Sequence, residues 1–206
     1  MKRDHLGDAL DHWKGSLLES LREAHLLTDP FWVDAMVSDH PWRNDEFAVY
    51  SNLLRVETQQ IIAHKFPLMP RQNRREYFSE IIERGPGDVF LDPDTGIARE
   101  SKGKKHVTIT EIDGLLRARP GQLVIVYQHK WHDTITSTCS DLIMELCGIC
   151  ASVQWCSYES TEAAMLFHKT IGAHPKIAHH FIDSLRCSGS LGQDDDPTRR
   201  IRSGPH

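Results

Sequence analysis

The sequence predicts an α/β protein with a mostly parallel sheet, helices on both faces and an antiparallel C-terminal edge. Short apolar segments alternate with amphipathic helical patterns about every 30 residues, which is typical of a parallel sheet. Residues 122–127, QLVIVY, are almost entirely apolar, as expected of a strand buried on both faces. Two strand patterns then follow one another at 152–158 and 163–169, which predicts the antiparallel edge.

The composition is typical of one soluble globular domain. The chain has 206 residues, of which 39% are hydrophobic and 26% charged, and its formal net charge is −5. A surface that is basic throughout is excluded by this charge, so any contact with nucleic acid should be local. We expect residues 1–187 to form a single α/β domain. Residues 188–206 contain few apolar side chains and are expected to be disordered.

The sequence gives little indication of membrane association or of a metal site. The N-terminus has no apolar signal segment, and no window approaches 18 apolar residues, which predicts a cytoplasmic protein with no membrane association. The five cysteines are an odd number in a chain long enough to need no disulfides. We expect reduced thiols buried in the core and no metal bound by them.

The predicted elements follow from hydrophobic periodicity. Apolar side chains at intervals of three or four residues predict helices over 8–26, 45–54, 71–84, 110–116, 135–146 and 175–185. Short apolar or alternating runs predict strands over 31–37, 60–63, 88–91, 122–127, 152–158 and 163–169. The basic, glycine-containing segment 99–105 is predicted to be an exposed loop.

Ligands of open α/β sheets bind outside the carboxyl ends of the strands, which directs attention to the residues that follow each predicted strand. After the strand at 88–91 comes DPDTG, in which Pro93 would hold the Asp92 carboxylate at a rigid edge. Asp92 and Asp94 are therefore candidate bases or metal ligands. The alternative is a turn in which both aspartates only accept bonds from backbone amides.

Three further groups of polar residues are candidates. His129 follows the most buried predicted strand and titrates near neutral pH, although a plain strand-to-loop transition would place it there too. Asp11 and Lys14 are one helical turn apart, a spacing that by itself indicates only a solvated ion pair. The basic residues beside the predicted site loops would be solvated by default, and they are candidates for phosphate contacts. They are Arg71, Arg74, Arg75, Lys102, Lys104 and Lys105.

Residues 5–14, HLGDALDHWK, resemble the His-x-Gly-Asn-x-x-Asp-x-x-Lys opening of the large-subunit rRNA adenine-N6 methyltransferases. Asp92-Pro93 takes the place of the Asp-Pro-Pro-Tyr motif of that family. The terminal strand pair is similar to the end of its Rossmann-like methyltransferase fold. The resemblance covers the first 20 residues and, more loosely, the topology from 88 to 186.

This resemblance implies an S-adenosylmethionine-dependent methyltransferase acting on nucleic acid or a nucleotide. Asp92 would accept hydrogen bonds from the exocyclic amine of an extruded base. With it, we expect Lys14, Asp94 and His129 to be the catalytic residues. The residues expected to bind S-adenosylmethionine are His5, Asp11, Asp34 and Asp39.

Two departures from the family pattern keep other functions open. Asp94 and Thr95 replace the second proline and the aromatic ring, and no glycine lies between Gly15 and Gly85, where a loop around the cofactor is expected. One alternative is a nuclease or phosphohydrolase with Mg²⁺ on Asp92 and Asp94, since Gln128-x-Lys130 resembles a restriction-nuclease signature. The other is a non-catalytic binding module on a decayed methyltransferase fold.

Overall fold

The structure is a computed structural model that describes residues 3–64, 67–68, 73–99, 103–129, 142, 145–146, 148, 153–159, 163–170 and 201–203. Four helices and eight strands lie in these residues. The helices are α1 (Ala9–Glu23), α2 (Asn44–Leu54), α3 (Arg74–Glu83) and α4 (Ile109–Ala118). The strands are β1 (Phe31–Asp34), β2 (Asp88–Leu91), β3 (Gly96–Ala98), β4 (His106–Thr108), β5 (Leu123–His129), β6 (Val153–Glu159), β7 (Ala163–Thr170) and β8 (Ile201–Ser203).

Six of the strands form one mixed sheet in the order β1-β2-β5-β7-β6-β8. The strands β1, β2 and β5 are parallel, and β7, β6 and β8 extend the sheet by antiparallel pairing. The strands β3 and β4 form a separate parallel pair. The α/β class is confirmed, and the antiparallel part contains three strands instead of the two predicted.

Helices cover both faces of the parallel strands, as predicted. Phe90 and Ile125 point to the face on which α1 and α2 pack. Val89 and Val124, their neighbours along β2 and β5, point to the opposite face, where α3 and α4 pack. Successive side chains of a strand alternate between faces, so strands buried on both sides contain the continuous apolar runs seen in the sequence.

Some predicted elements differ from the observed ones. The predicted strand over 60–63 is a single bridge between Ile61 and Val33, preceded by a 3₁₀ helix at Thr58–Gln60. The short strands β3 and β4 were not predicted. Nor was β8, which lies within the segment expected to be disordered. The predicted helix over 175–185 lies outside the described residues, and the one over 135–146 is described only at 142 and 145–146, which are helical.

The close contact of α1 with α2 positions the candidate site. A Cβ atom added at Gly15 would lie 2.0 Å from the carbonyl oxygen of Leu53, so only glycine permits this approach. It places Lys14 of α1 and Tyr50 of α2 above the carboxyl ends of β2 and β5. Within the described part of the chain, none of the helices has the length and apolarity needed to cross a membrane.

Candidate functional site

A pocket of about 130 Å³ lies at the carboxyl ends of β2 and β5. The N-terminal segment, the turn after β2 and the end of β5 all contribute to its walls. Six of the eight predicted site residues line it: His5, Asp11, Lys14, Asp92, Asp94 and His129. An apolar cavity of about 150 Å³ admits a benzene ring, so this pocket has room for one ring-sized group.

Lys14 joins the two aspartates at the base of the pocket. Its Nζ lies 2.9 Å from Asp11 Oδ1 and 2.9 Å from Asp92 Oδ2, and the three side chains are at most 4% exposed. Burial acts to lower the pKa of Lys14, but the carboxylates of Asp92 and Asp11 outweigh it and raise the pKa above the usual range. Lys14 is therefore a fixed cation that holds Asp92 in place and does not serve as a base.

Tyr50 is a site residue that sequence reasoning did not identify. Its hydroxyl donates to Asp92 Oδ2 at 2.6 Å, the same oxygen that accepts from Lys14. Burial, and then the charge of Asp92, raises the pKa of Tyr50 well above its usual range, so the phenol keeps its proton. Helical periodicity predicted an inward-facing Tyr50, but a buried tyrosine on a helix is most often a core residue.

Gly7, Asp8 and Asp11 of the N-terminal motif each have a structural explanation. Gly7 has a φ of +90°, a conformation that favours glycine, and its N–H donates to Asp11 Oδ2 at 2.9 Å. The side chain of Asp8 caps α1 by accepting from the N–H groups of Leu10 and Asp11. Burial acts first to raise the pKa of Asp11, partly offset by Lys14. The motif thus starts α1 and aims Lys14 at Asp92.

The end of β5 contributes an aromatic wall and an imidazole. Lys14 Nζ lies 4.2 Å from the centre of the Tyr127 ring, a favourable contact between a cation and an aromatic face. The Tyr127 hydroxyl lies 3.0 Å from His129 Nδ1. Burial is the main reason that the pKa of Tyr127 is raised. His129 is therefore linked to the Lys14 cation through a neutral phenol.

The turn after β2 is fixed by Gln128. The Gln128 Oε1 accepts from the N–H of Ile97 at 2.8 Å, and a Cβ atom at Gly96 would lie 2.3 Å from that oxygen. Gln128 thus has a structural role here, while Lys130 lies outside the described residues. Asp94 Oδ2 is buried and has no hydrogen-bond partner within the described residues, although Lys105 Nζ lies 3.7 Å away. Asp94 lines the pocket, and this buried oxygen has no hydrogen-bond donor among the described residues.

Asp34 lies outside the pocket, in a buried cluster at the end of β1. It accepts from the Tyr77 hydroxyl and the Met36 N–H, both at 2.8 Å, and its Oδ2 lies 3.1 Å from His64 Nε2. The other ring nitrogen of His64 lies 2.9 Å from Glu80 Oε2. Burial acts to lower the pKa of His64, but the two carboxylates outweigh it and raise that pKa. Asp34 therefore stabilises a buried imidazolium.

Asp39 also lies away from the pocket. Its Oδ2 accepts from the backbone N–H of Arg3 at 3.0 Å, and its Oδ1 accepts from His40 N–H at 2.9 Å. Partial burial acts to raise the pKa of Asp39, but these backbone donors outweigh it and lower the pKa. Asp39 holds the N-terminal segment that carries His5 to the pocket.

The end of β1 does not fit S-adenosylmethionine. The cavity there measures about 10 Å³, the space of a single water molecule. Buried side chains of Met36, Val37 and Trp42 fill the region, and the Asp34 carboxylate is already engaged by its three partners. Glycines would let a cofactor approach this backbone, and the loop contains none.

The described residues do not provide a set of side chains suited to bind Mg²⁺. No group of three or more His, Cys, Asp and Glu side chains there is arranged to hold a metal ion. In the pocket, Asp92 Oδ2 already accepts from Lys14 and Tyr50. A cation at this oxygen would have to displace the buried ammonium of Lys14.

The predicted basic residues have different surroundings. Arg74 is buried and forms an ion pair with Glu111. It therefore has a structural role and is not exposed to contact a phosphate. Lys105 lines the pocket, whereas Arg75 is exposed elsewhere and Lys104 is half-buried. Arg71 and Lys102 lie outside the described residues.

Comparison with known proteins gives no match: no family model, no curated protein and no solved structure is significantly similar to this chain.

Proposed function

We propose that this chain is a methyltransferase-fold protein that binds a nucleobase of a nucleic acid or nucleotide, with Asp92 accepting from the base's exocyclic amine. The observation that carries the proposal is the buried group of Lys14, Asp92 and Tyr50 beneath a ring-sized pocket. Burying an ion pair is costly, and charged groups with perturbed pKa values that line a cleft are candidates for a functional site. The fold and the N-terminal motif are consistent with the resemblance that suggests this role.

The hydrogen-bond pattern supports the role of an acceptor. Lys14 and Tyr50 both donate to Oδ2 of Asp92, so neither uses Oδ1. Together they fix the orientation of the carboxylate before a ligand arrives. A base amine donating to Oδ1 would gain a charge-assisted hydrogen bond, and the ring would pack beside Tyr127.

Methyl transfer is a further step that the resemblance predicts. It requires S-adenosylmethionine to bind at a place other than the filled end of β1. Base binding alone, without methyl transfer, is the second candidate, and that filled end is the observation that favours it. Metal-dependent hydrolysis has less support, because Lys14 occupies the position next to Asp92 where a metal would bind.

Isothermal titration calorimetry of the full chain tests the proposal. The ligands are the four ribonucleoside 5′-monophosphates, with S-adenosylmethionine, S-adenosylhomocysteine and Mg²⁺ in parallel. We expect the monophosphates with an exocyclic amine to bind and UMP to bind more weakly. Asp92→Asn should weaken the binding of the first group by about tenfold or more, because a neutral amide replaces the charged acceptor of the hydrogen bond.

The matched control is Asp45→Asn, which removes a carboxylate from an exposed ion pair with Arg43 on α2. It should bind nucleotides as the wild type does. Circular dichroism checks that Asp92→Asn is folded. If no monophosphate binds, or if folded Asp92→Asn binds as tightly as the wild type, the proposal is wrong. Binding of S-adenosylmethionine would support methyl transfer. If S-adenosylmethionine does not bind, base binding without methyl transfer is the function that the results support.

A further inference from the structure

The rim of the pocket pairs a buried carboxylate with an exposed cation. The Asp94 side chain is 9% exposed, and its Oδ2 is without a hydrogen bond in the part of the chain that the structure describes. Lys105 Nζ lies 3.7 Å from this oxygen, beyond the roughly 2.7–3.2 Å of an N–H···O hydrogen bond. A buried acceptor without a donor costs free energy, so a ligand that donates to Asp94 would be favoured.

The backbone of Lys105 is held firmly on two sides. The backbone N–H and the hydroxyl of Thr95 each donate to the carbonyl oxygen of Lys105 at 3.0 Å. The buried Arg74 donates to the carbonyl oxygens of Gly103 at 3.0 Å and His106 at 2.8 Å. These contacts fix the loop that places Lys105 at the rim of the pocket.

Burial decreases in order from the base of the pocket to its rim. The exposed fraction of the side chain is 1% for Asp92, 9% for Asp94 and 40% for Lys105. An acceptor therefore lies deep, a second acceptor lies between, and an exposed ammonium lies outermost. In a nucleotide, the ribose likewise lies between the base and the phosphate.

We propose that Asp94 and Lys105 form a subsite for the ribose and phosphate of a ribonucleotide. A ribose hydroxyl donates to Asp94 Oδ2, and Lys105 Nζ donates to the phosphate. The bond to the phosphate replaces the 3.7 Å ion pair between Lys105 and Asp94. Lysine binds phosphate as a point charge, and its exposed ammonium can move outward to reach one. This inference rests on the proposed binding of a base at Asp92. Free ribonucleotides and RNA both present this chemistry.

Paired ligands and paired variants test the subsite by calorimetry. Each ribonucleoside 5′-monophosphate is compared with its nucleoside and with its 2′,3′-dideoxy monophosphate. We expect Lys105→Gln to weaken the binding of the monophosphate by about tenfold and to leave the binding of the nucleoside unchanged. Lys104→Gln, the neighbouring lysine outside the pocket lining, should change neither. Asp94→Ala should remove the preference for the ribose over the dideoxy sugar.

The outcomes separate this inference from the proposed function. The proposed subsite is wrong if nucleosides and monophosphates bind equally well, or if Lys104→Gln weakens monophosphate binding as much as Lys105→Gln does. Either result leaves the proposed base binding at Asp92 intact. If no nucleoside or nucleotide binds, both are wrong. If the expected pattern appears, a single-stranded oligoribonucleotide is added to the complex with the monophosphate. Displacement of the monophosphate identifies RNA as the source of the ligand. If the monophosphate stays bound, the ligand is the free nucleotide.

Discussion

Lys14 determines the charge balance of the pocket. One ammonium serves two buried carboxylates, those of Asp11 and Asp92, and also faces the ring of Tyr127. Removing one partner from a buried ion pair leaves an uncompensated charge, which costs far more than an exposed pair contributes. The same residue thus supports both the stability of the fold and the acceptor role of Asp92.

Replacing Lys14 with methionine should lower the free energy of unfolding by about 3–5 kcal/mol, because two desolvated carboxylates would lose their shared cation. Urea unfolding at neutral pH measures this change. Arg43→Met, at an exposed ion pair on the surface, should cost at most about 1 kcal/mol. A loss at Lys14 as small as that control would show that the buried pair does not form.

Tyr50 and Tyr77 provide a matched pair, because each buried hydroxyl donates to one aspartate, Asp92 or Asp34. Removing either hydroxyl by substitution to phenylalanine should lower the free energy of unfolding by about 1.5–3 kcal/mol. Only Tyr50→Phe should also weaken nucleotide binding in calorimetry, since Asp34 lies outside the pocket. Equal effects of the two variants on binding would contradict the placement of the site.

Among the elements, α1 and α2 carry the donors to Asp92, and their separation depends on Gly15. The contact between Asp11 and Lys14 follows from helical spacing, so the sequence predicts it. Asp92 is 78 positions from Lys14, and no local pattern predicts that contact. The motif resemblance, with the rule that ligands bind at the carboxyl ends of strands, predicts both residues at one site but not the contact between them.

Substituting Gly15 with alanine should destabilise the protein by about 1–3 kcal/mol, because the added methyl group would force α1 away from the Leu53 carbonyl. Gly114→Ala on α4 is the control. A Cβ atom there meets nothing within 4 Å, so this substitution should stabilise the helix by about 0.5–1 kcal/mol. Thermal unfolding of both variants measures the difference, and equal shifts in Tm would refute the close contact.

His64 joins three parts of the fold: the end of β1 through Asp34, the segment after Ile61, and α3 through Glu80 and Tyr77. Its raised pKa means that the folded state binds the proton more tightly than the unfolded state does. The resulting stability is fully present below the ordinary pKa of histidine, about 6.5, and is lost as the pH rises through the folded-state value.

The stability difference between the wild type and His64→Gln should therefore shrink as the pH rises from about 5.5 to 8.5, across the titration range of histidine. Urea unfolding of both proteins at each pH measures it, and titrations elsewhere in the chain cancel in the difference. His40→Gln, at a half-exposed pair with Asp39, is the matched control and should show a much smaller trend. A His64 difference that stayed constant or grew with pH would contradict a buried imidazolium.

At the scale of the whole molecule, long apolar patterns were more predictable than short polar contacts. Periodicity predicted α1 to α4, the parallel strands and the terminal pair β6 and β7. The strands β3 and β4 have three residues each, too few for an alternating pattern to appear. Tyr50 serves the site from a helix position typical of the core, and only the three-dimensional arrangement reveals its bond to Asp92. Gln128, which the sequence associates with a nuclease signature, instead fixes the backbone at Ile97.

The most direct test of the account is a crystal structure of the full chain with the ribonucleoside monophosphate that binds it most tightly. We expect the base in the pocket above Lys14, with its exocyclic amine within about 3.2 Å of Asp92 Oδ1, the reach of a hydrogen bond. A nucleotide bound at the end of β1, or one whose base makes no contact with Asp92, would contradict it.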